Sequence, residues 1–211
     1  MTEQTVGEGR GNGGSPEPPR SLVRLDGAGP AELAALTAVF DDLQYVLMCC
    51  EHLVAALDPP PPGPPRTVDA ALVEALWTGA LVGYARCFSG RTGVLTDADV
   101  TSLDLGEQAV PFHTAMKKLR DHYASRHVNP RETVTVGVAV RDDGSPHAVA
   151  VTAVPQPDVD AATVRMLGRL AYGLSGVLDA RMQTAQAAVL EGAAAMSRDE
   201  LGRMPQYEVA V

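Results

Sequence analysis

Apolar residues recur at spacings of three and four from Leu33 through Leu36, Phe40, Leu43, Leu47, Cys50 and Val54 to Leu57, which predicts a long amphipathic helix entered at Pro30. A seam of this length fits either intramolecular helix packing or a two-chain coiled-coil contact. The run Asp58-Pro-Pro-Pro-Pro-Gly-Pro-Pro-Arg66 ends the helix, because consecutive prolines remove backbone donors and favour an extended path. It reads as a stiff spacer, or as a PxxP ligand for a partner module. A second helix is predicted over 68–88 with Thr67 as its cap. Apolar residues on two faces, Leu72 and Leu76 on one and Val73, Trp77 and Tyr84 on the other, mark it as the central, most buried helix.

A loop holding Gly90, Gly93 and Asp97 leads to a third predicted helix over 105–127. The period then changes from helical to two. Thr133–Val140 and His147–Val154 alternate around Asp142-Asp143-Gly144-Ser145-Pro146, which predicts a β-hairpin. Its valine face (Val134, Val136, Val138, Val140) needs a cover, since an isolated hairpin is marginal in water, and it is expected to lie on the helices. Asp158 or Asp160 caps a last helix to about Met196, with Val164, Leu167, Ala171, Leu174, Leu178, Met182, Ala185 and Val189 as its stripe.

The expected fold is therefore mainly α, four helices with a β-hairpin inserted between the third and fourth. One helical domain spans 29–196, including the proline-rich linker 58–66 and the hairpin 132–155. Residues 1–28 and 197–211 are expected to be flexible tails: the first is crowded with Gly, Pro, Ser and charge and has little apolar surface to offset the entropy of ordering. Val209 and Val211 remain available to dock on a partner.

Composition narrows the function classes. Aromatic residues make up 4% of the chain against 45% hydrophobic residues overall, so the core is built from Ala, Val and Leu, which favours close helix packing over an aromatic-lined pocket. A net charge of −9 opposes nucleic-acid binding by bulk attraction and leaves only a local contact. Three cysteines, two of them adjacent (Cys49, Cys50), fit neither a disulfide framework nor a metal site. Acidic residues near Met1, and no run of 18 uninterrupted apolar residues, lead to the expectation of a cytoplasmic protein without a membrane contact. No phosphate loop, nucleophile elbow or zinc motif is present, and neither a cofactor nor a metal is expected.

Candidate chemistry concentrates in the third predicted helix. Phe112, Met116, Leu119 and Tyr123 should face the core, and a step of 100° per residue places His113, Arg120 and His127, each seven apart, on a strip beside them. A His-Arg-His strip suits phosphodiester cleavage, with histidine moving a proton near neutral pH and arginine gripping phosphate. Lys117, Lys118, Arg126 and Arg131 make the segment locally basic.

The stretch Arg120-Asp121-His122-Tyr123-Ala124-Ser125-Arg126-His127, near the end of a helix in a small helical domain, resembles the arginine–polar–histidine motif of the HEPN superfamily. Continued through Val128-Asn129-Pro130 into a hairpin, it is also similar to an HEPN-like group with an Arg-Asp-Lys, Ala-His-Ser, Asn pattern. The likeness spans about residues 35–190 in architecture and about twenty in motif. It implies a four-helix HEPN-like bundle and a metal-independent endoribonuclease or RNA-binding relative in RNA processing, toxin–antitoxin pairs or defence. It also implies a homodimer with motifs meeting in a cleft, and RNA and a neutralising protein as partners. Arg120 would contact phosphate, His127 would act at the ribose 2′-hydroxyl or the leaving oxygen, and Asp121 matches the polar position. Aligned without gaps to the Ala-His-Ser form, the histidine position falls on Arg126, with His127 one residue later.

Structural readings stand beside these. His127 would interact with the C-terminal helix dipole, Asn129-Pro130 would stop the helix, and His113 would pack. Arg86, on a buried helix, needs a partner such as Asp121 or a carbonyl. The competing function is a non-catalytic helical module that dimerises and recruits protein partners.

Overall fold

A computed structural model describes residues 21–58, 68–89, 93–124, 132–155 and 158–208. The chain is mainly helical, with six helices and two small two-stranded sheets among the described residues. In order these are β1 (Ser21–Val23), α1 (Ala28–Leu57), α2 (Ala70–Arg86), α3 (Asp97–Ser102), α4 (Ala109–Ala124), β2 (Glu132–Val140), β3 (Pro146–Pro155), α5 (Ala161–Ala194), α6 (Arg198–Arg203) and β4 (Gln206–Glu208).

The centre of the core is α1, not the second helix that the sequence marks as most buried. It is clasped by α5 on one side and α2 on the other. Against α5 it runs antiparallel: Asp58 meets Arg165, Gln44 meets Ser175, and Gly29 lies beside Val189. Against α2 it also runs antiparallel, with Tyr45 over Gly79 and Asp42 near Arg86. Two partners explain why Leu36, Leu43 and Cys50 of the expected seam are buried together with Val46, Cys49 and Leu53, which lie off it. The other seam residues, Leu33, Phe40, Leu47, Val54 and Leu57, are half-buried. By length and composition α1 could also cross a membrane, but here it supplies the core.

Small residues set the helix separations. A Cβ on Gly83 would stand 3.1 Å from Val46 Cγ2, and one on Gly173 would stand 3.0 Å from Leu103 Cδ1, so the neighbouring helix and loop fit only glycine-sized surfaces there. The caps differ in part from expectation. Asp69, rather than Thr67, caps α2 by accepting from the N–H groups of Ala71 and Leu72 (3.0 and 3.2 Å), whereas Asp160 caps α5 through Thr163 N–H (2.7 Å).

Three expectations are corrected. The loop before the third predicted helix holds a helix of its own, because Thr96 and Asp99 form a capping box that starts the short α3, and the predicted helix itself begins later, at Ala109. The supposed tails are ordered where they meet: β1 pairs antiparallel with β4, Leu22 opposite Tyr207, and Ser197 with Glu200 caps α6. Such long-range pairing leaves no local signature in either segment. The hairpin forms in the expected place, with Gly144 at φ 81 in a turn where Asp143 accepts from Ser145 N–H (2.9 Å), but it does not lie on the helices. Its valines are exposed on the full length of the ribbon.

Leu43→Ala, which empties a fully buried site in α1, should cost about 2–5 kcal/mol in urea denaturation, whereas Leu190→Ala, at an exposed site on α5, should stay within about 0.5 kcal/mol.

Candidate functional site

The segment expected to carry chemistry begins with α4. The stripe faces the core as its spacing requires, with Met116 buried and Phe112, Leu119 and Tyr123 packed at the margin. His113, expected at the edge of that stripe, is instead wholly inside the protein, 1% exposed. Its Nε2 lies 3.0 Å from Asp97 Oδ1 and its Nδ1 lies 2.7 Å from the Tyr84 hydroxyl.

These contacts fix the tautomer. A carboxylate only accepts, so Nε2–H donates to Asp97; the neutral ring then presents Nδ1 as acceptor, and Tyr84 O–H donates to it. Burial lowers the imidazole pKa, opposed by the hydrogen bond to Asp97 and helped by the Lys117 charge. Burial likewise raises the Tyr84 phenol. Lys117 Nζ donates to the same Asp97 oxygen at 2.8 Å and sits 5.6 Å from the Phe88 ring centroid. The hydrogen bonds from Lys117 and His113 lower the Asp97 pKa. The array runs from a buried phenol through a neutral histidine to a carboxylate at the surface. With both ring nitrogens occupied and no solvent access, His113 is a core residue that joins α2, α3 and α4.

A second polar cluster ties the same first turn of α3 to α5. Asp99 accepts from Thr96 N–H (2.8 Å) and Thr96 O–H (3.1 Å), and from the Arg181 guanidinium of α5, which also donates to the Val94 carbonyl at 2.6 Å. Burial raises the Asp99 pKa, but these donors together hold it below the usual carboxylate value. A cleft of about 520 Å³ opens beside this cluster, between Glu32 and Leu36 of α1 and Gly93, Thr96 and Arg181. Arg181 and Asp99 neutralise each other across its wall.

Arg120 lies two turns beyond His113 on α4, about 10 Å along the axis, near the helix end. Its side chain is 36% exposed. Its Nε is sealed from solvent and, among the described residues, has no hydrogen bond; Asp121 Oδ1 is 3.3 Å away but poorly aligned, as neighbours on a helix do not face each other. Asp121 itself is exposed. Arg86 pairs with Asp42 of α1 at 3.3 Å, rather than with Asp121 or a carbonyl, and stands apart from this group. Arg126, His127 and Asn129 lie outside the described residues, as does 59–67 of the proline-rich linker. The structure thus brings His113, Lys117 and Arg120 onto one helix but commits the first two to the interior and to Asp97.

The residues that the sequence reading missed are Tyr84 as a hydrogen-bond donor, Asp97 and Asp99. The Thr96-x-x-Asp99 spacing was the available signal for α3. Cys50 and Cys87 are buried, and burial pushes each thiol up to about 12, which suits small hydrophobes rather than nucleophiles. Among the described residues no three His, Cys, Asp or Glu side chains converge as metal ligands. No family model, curated protein or solved structure matches the chain.

Because the folded pKa of His113 lies below its ordinary 6.5, the unfolded chain takes up a proton there that the folded chain refuses. His113 should therefore destabilise the fold as pH falls through the unfolded value. Urea denaturation between about pH 7.5 and 5.5 should show the parent losing stability, and the Tyr84→Phe/His113→Leu double variant losing less. An equal slope in both would show that His113 is protonated in the folded state.

Proposed function

We propose that the chain is an HEPN-like protein that acts on RNA, a metal-independent endoribonuclease of RNA processing or defence that works in the cytoplasm as a homodimer. In this reading Arg120 grips the scissile phosphate and His127 moves a proton at the ribose 2′-hydroxyl or the leaving oxygen, with Asp121 at the polar position between them. The helical order supports it: α1, α2, α4 and α5 are the long helices, and the hairpin falls between the last two.

The observation that carries the reading is the state of Arg120. Its guanidinium is partly exposed near the end of α4, with the Asp121 carboxylate 3.3 Å from Nε and no aligned hydrogen bond to that atom, and its outer N–H groups could donate to an anion. Close to the end of α4, the phosphate grip would be joined within a few residues by the histidine. His113 takes no part in this chemistry, and Arg86 has no contact with it beyond the shared body of the fold.

A second reading, a non-catalytic helical interaction module, is favoured by the exposed valine surface of the hairpin, which is suited to a protein partner rather than to RNA.

Cleavage of RNA by the purified protein in EDTA separates the two. The first reading expects cleavage that falls at least about 100-fold in Arg120→Ala and in His127→Ala, with helical circular dichroism unchanged. No cleavage by the parent, or equal cleavage by all three proteins, puts the interaction module in its place.

A further inference from the structure

The register of the hairpin sorts its residues into two unlike faces. Val134 lies opposite Ala153, Val136 opposite Val151 and Val138 opposite Val149. Directly opposed residues share a face and successive residues alternate, so one face carries Val134, Val136, Val138, Val140, Val149 and Val151. The other carries Thr133 opposite Val154, Thr135 opposite Thr152, Gly137 opposite Ala150 and Ala139 opposite Ala148, with Val154 as its one valine. The one charged residue on the valine face is Glu132, at its end, opposite Pro155. The exposure of its six valines runs from 51% (Val134) to 72% (Val149).

Such a surface is costly to leave in water. At roughly 100 Å² of accessible surface on each, the six valines present about 600 Å², the upper end of what a monomer exposes in one apolar patch. A two-stranded ribbon without cover is also marginal by itself. The rest of this chain has little to lay over it. The segments outside the described residues contain no long apolar run: residues 1–20 hold only Met1 and Val6 as large aliphatic side chains, 59–67 are mostly proline, 125–131 hold only Val128, and Val209-Ala210-Val211 is a third of the length of β2. Covering a nine-residue valine strand needs a partner surface of matching length and polarity.

We propose that this cover is the valine face of a second copy of the chain, two hairpins stacking face to face about a two-fold axis. A two-fold that runs the two ribbons in opposite directions sets their Glu132 ends far apart, so the valines meet without like charges opposed, and an isologous contact of this kind is closed. Two such faces would bury up to about 1,200 Å² in total from the valines alone, against the roughly 1,000 Å² that a specific interface needs. The contact places dimerisation on the hairpin and not on α1, which packs against both α2 and α5. It does not depend on the RNA chemistry.

Sedimentation of the full chain at tens of micromolar should show a dimer. Val136→Lys and Val151→Lys should each raise its dissociation constant at least about tenfold, with helical circular dichroism unchanged, whereas Thr135→Lys, on the opposite face, and Arg120→Ala should leave it as in the parent. A parent that sediments as a monomer overturns the proposal, as does a dimer that survives both valine substitutions. Flotation of a monomeric parent with phosphatidylcholine–phosphatidylglycerol vesicles would overturn it in favour of a lipid surface.

Discussion

The structure depends on the need to bury α1 on two sides at once. With few aromatic residues, the chain cannot fill wide gaps between helices with large rings, and its apolar area is spread over Leu, Val, Ala and Cys. Burial then requires close approach, and the glycines at 79 and 83 on α2 and at 168 on α5 supply it where the helices meet α1. Once α1 is held between α5 and α2, the position of Tyr84 is fixed at zero exposure on the inner side of α2. Everything attached to Tyr84 is placed by that packing.

The element attached to it is α4, through His113. A buried imidazole without partners would be costly; with Tyr84 donating to one nitrogen and Asp97 accepting from the other, it is satisfied in a single tautomer and orientation. The short α3 acts as a bracket, with Asp97 tied to α4 through His113 and Lys117, and Asp99 tied to α5 through Arg181. This bracket fixes the rotation of α4 about its own axis. Seven residues make nearly two whole turns, so Arg120 stands on the same strip as His113, displaced toward the helix end, where the strip passes from the interior to the margin. The partly sealed guanidinium is a consequence of that rotation.

The hairpin obeys a different logic. The helical body buries one apolar core, whereas the ribbon between α4 and α5 leaves a continuous valine face in solvent and a face of Thr, Gly and Ala with Val154 behind it. Backbone pairing between β2 and β3 satisfies the amide groups across the ribbon, but it does nothing for the side chains that stand perpendicular to it.

Elements with a strong local period were legible in the sequence: α1, the stripe of α5 with its Asp160 cap, the hairpin with its Asp-Gly turn, and the core face of α4. Each is specified by contacts within a few residues, or by a repeating apolar face that any partner will bury. The candidate site was legible as a strip of residue types on one helix, but not in its depth, because His113 and Arg120 have the same periodicity and differ only in what lies over them. Tertiary structure alone decided that α1 is central, that His113 belongs to the core with Tyr84 and Asp97, that Arg86 pairs with Asp42, and that Ser21–Val23 pairs with Gln206–Glu208. Periodicity tells which face of an element avoids water; which neighbour covers it, or whether any does, depends on contacts between residues far apart in the chain.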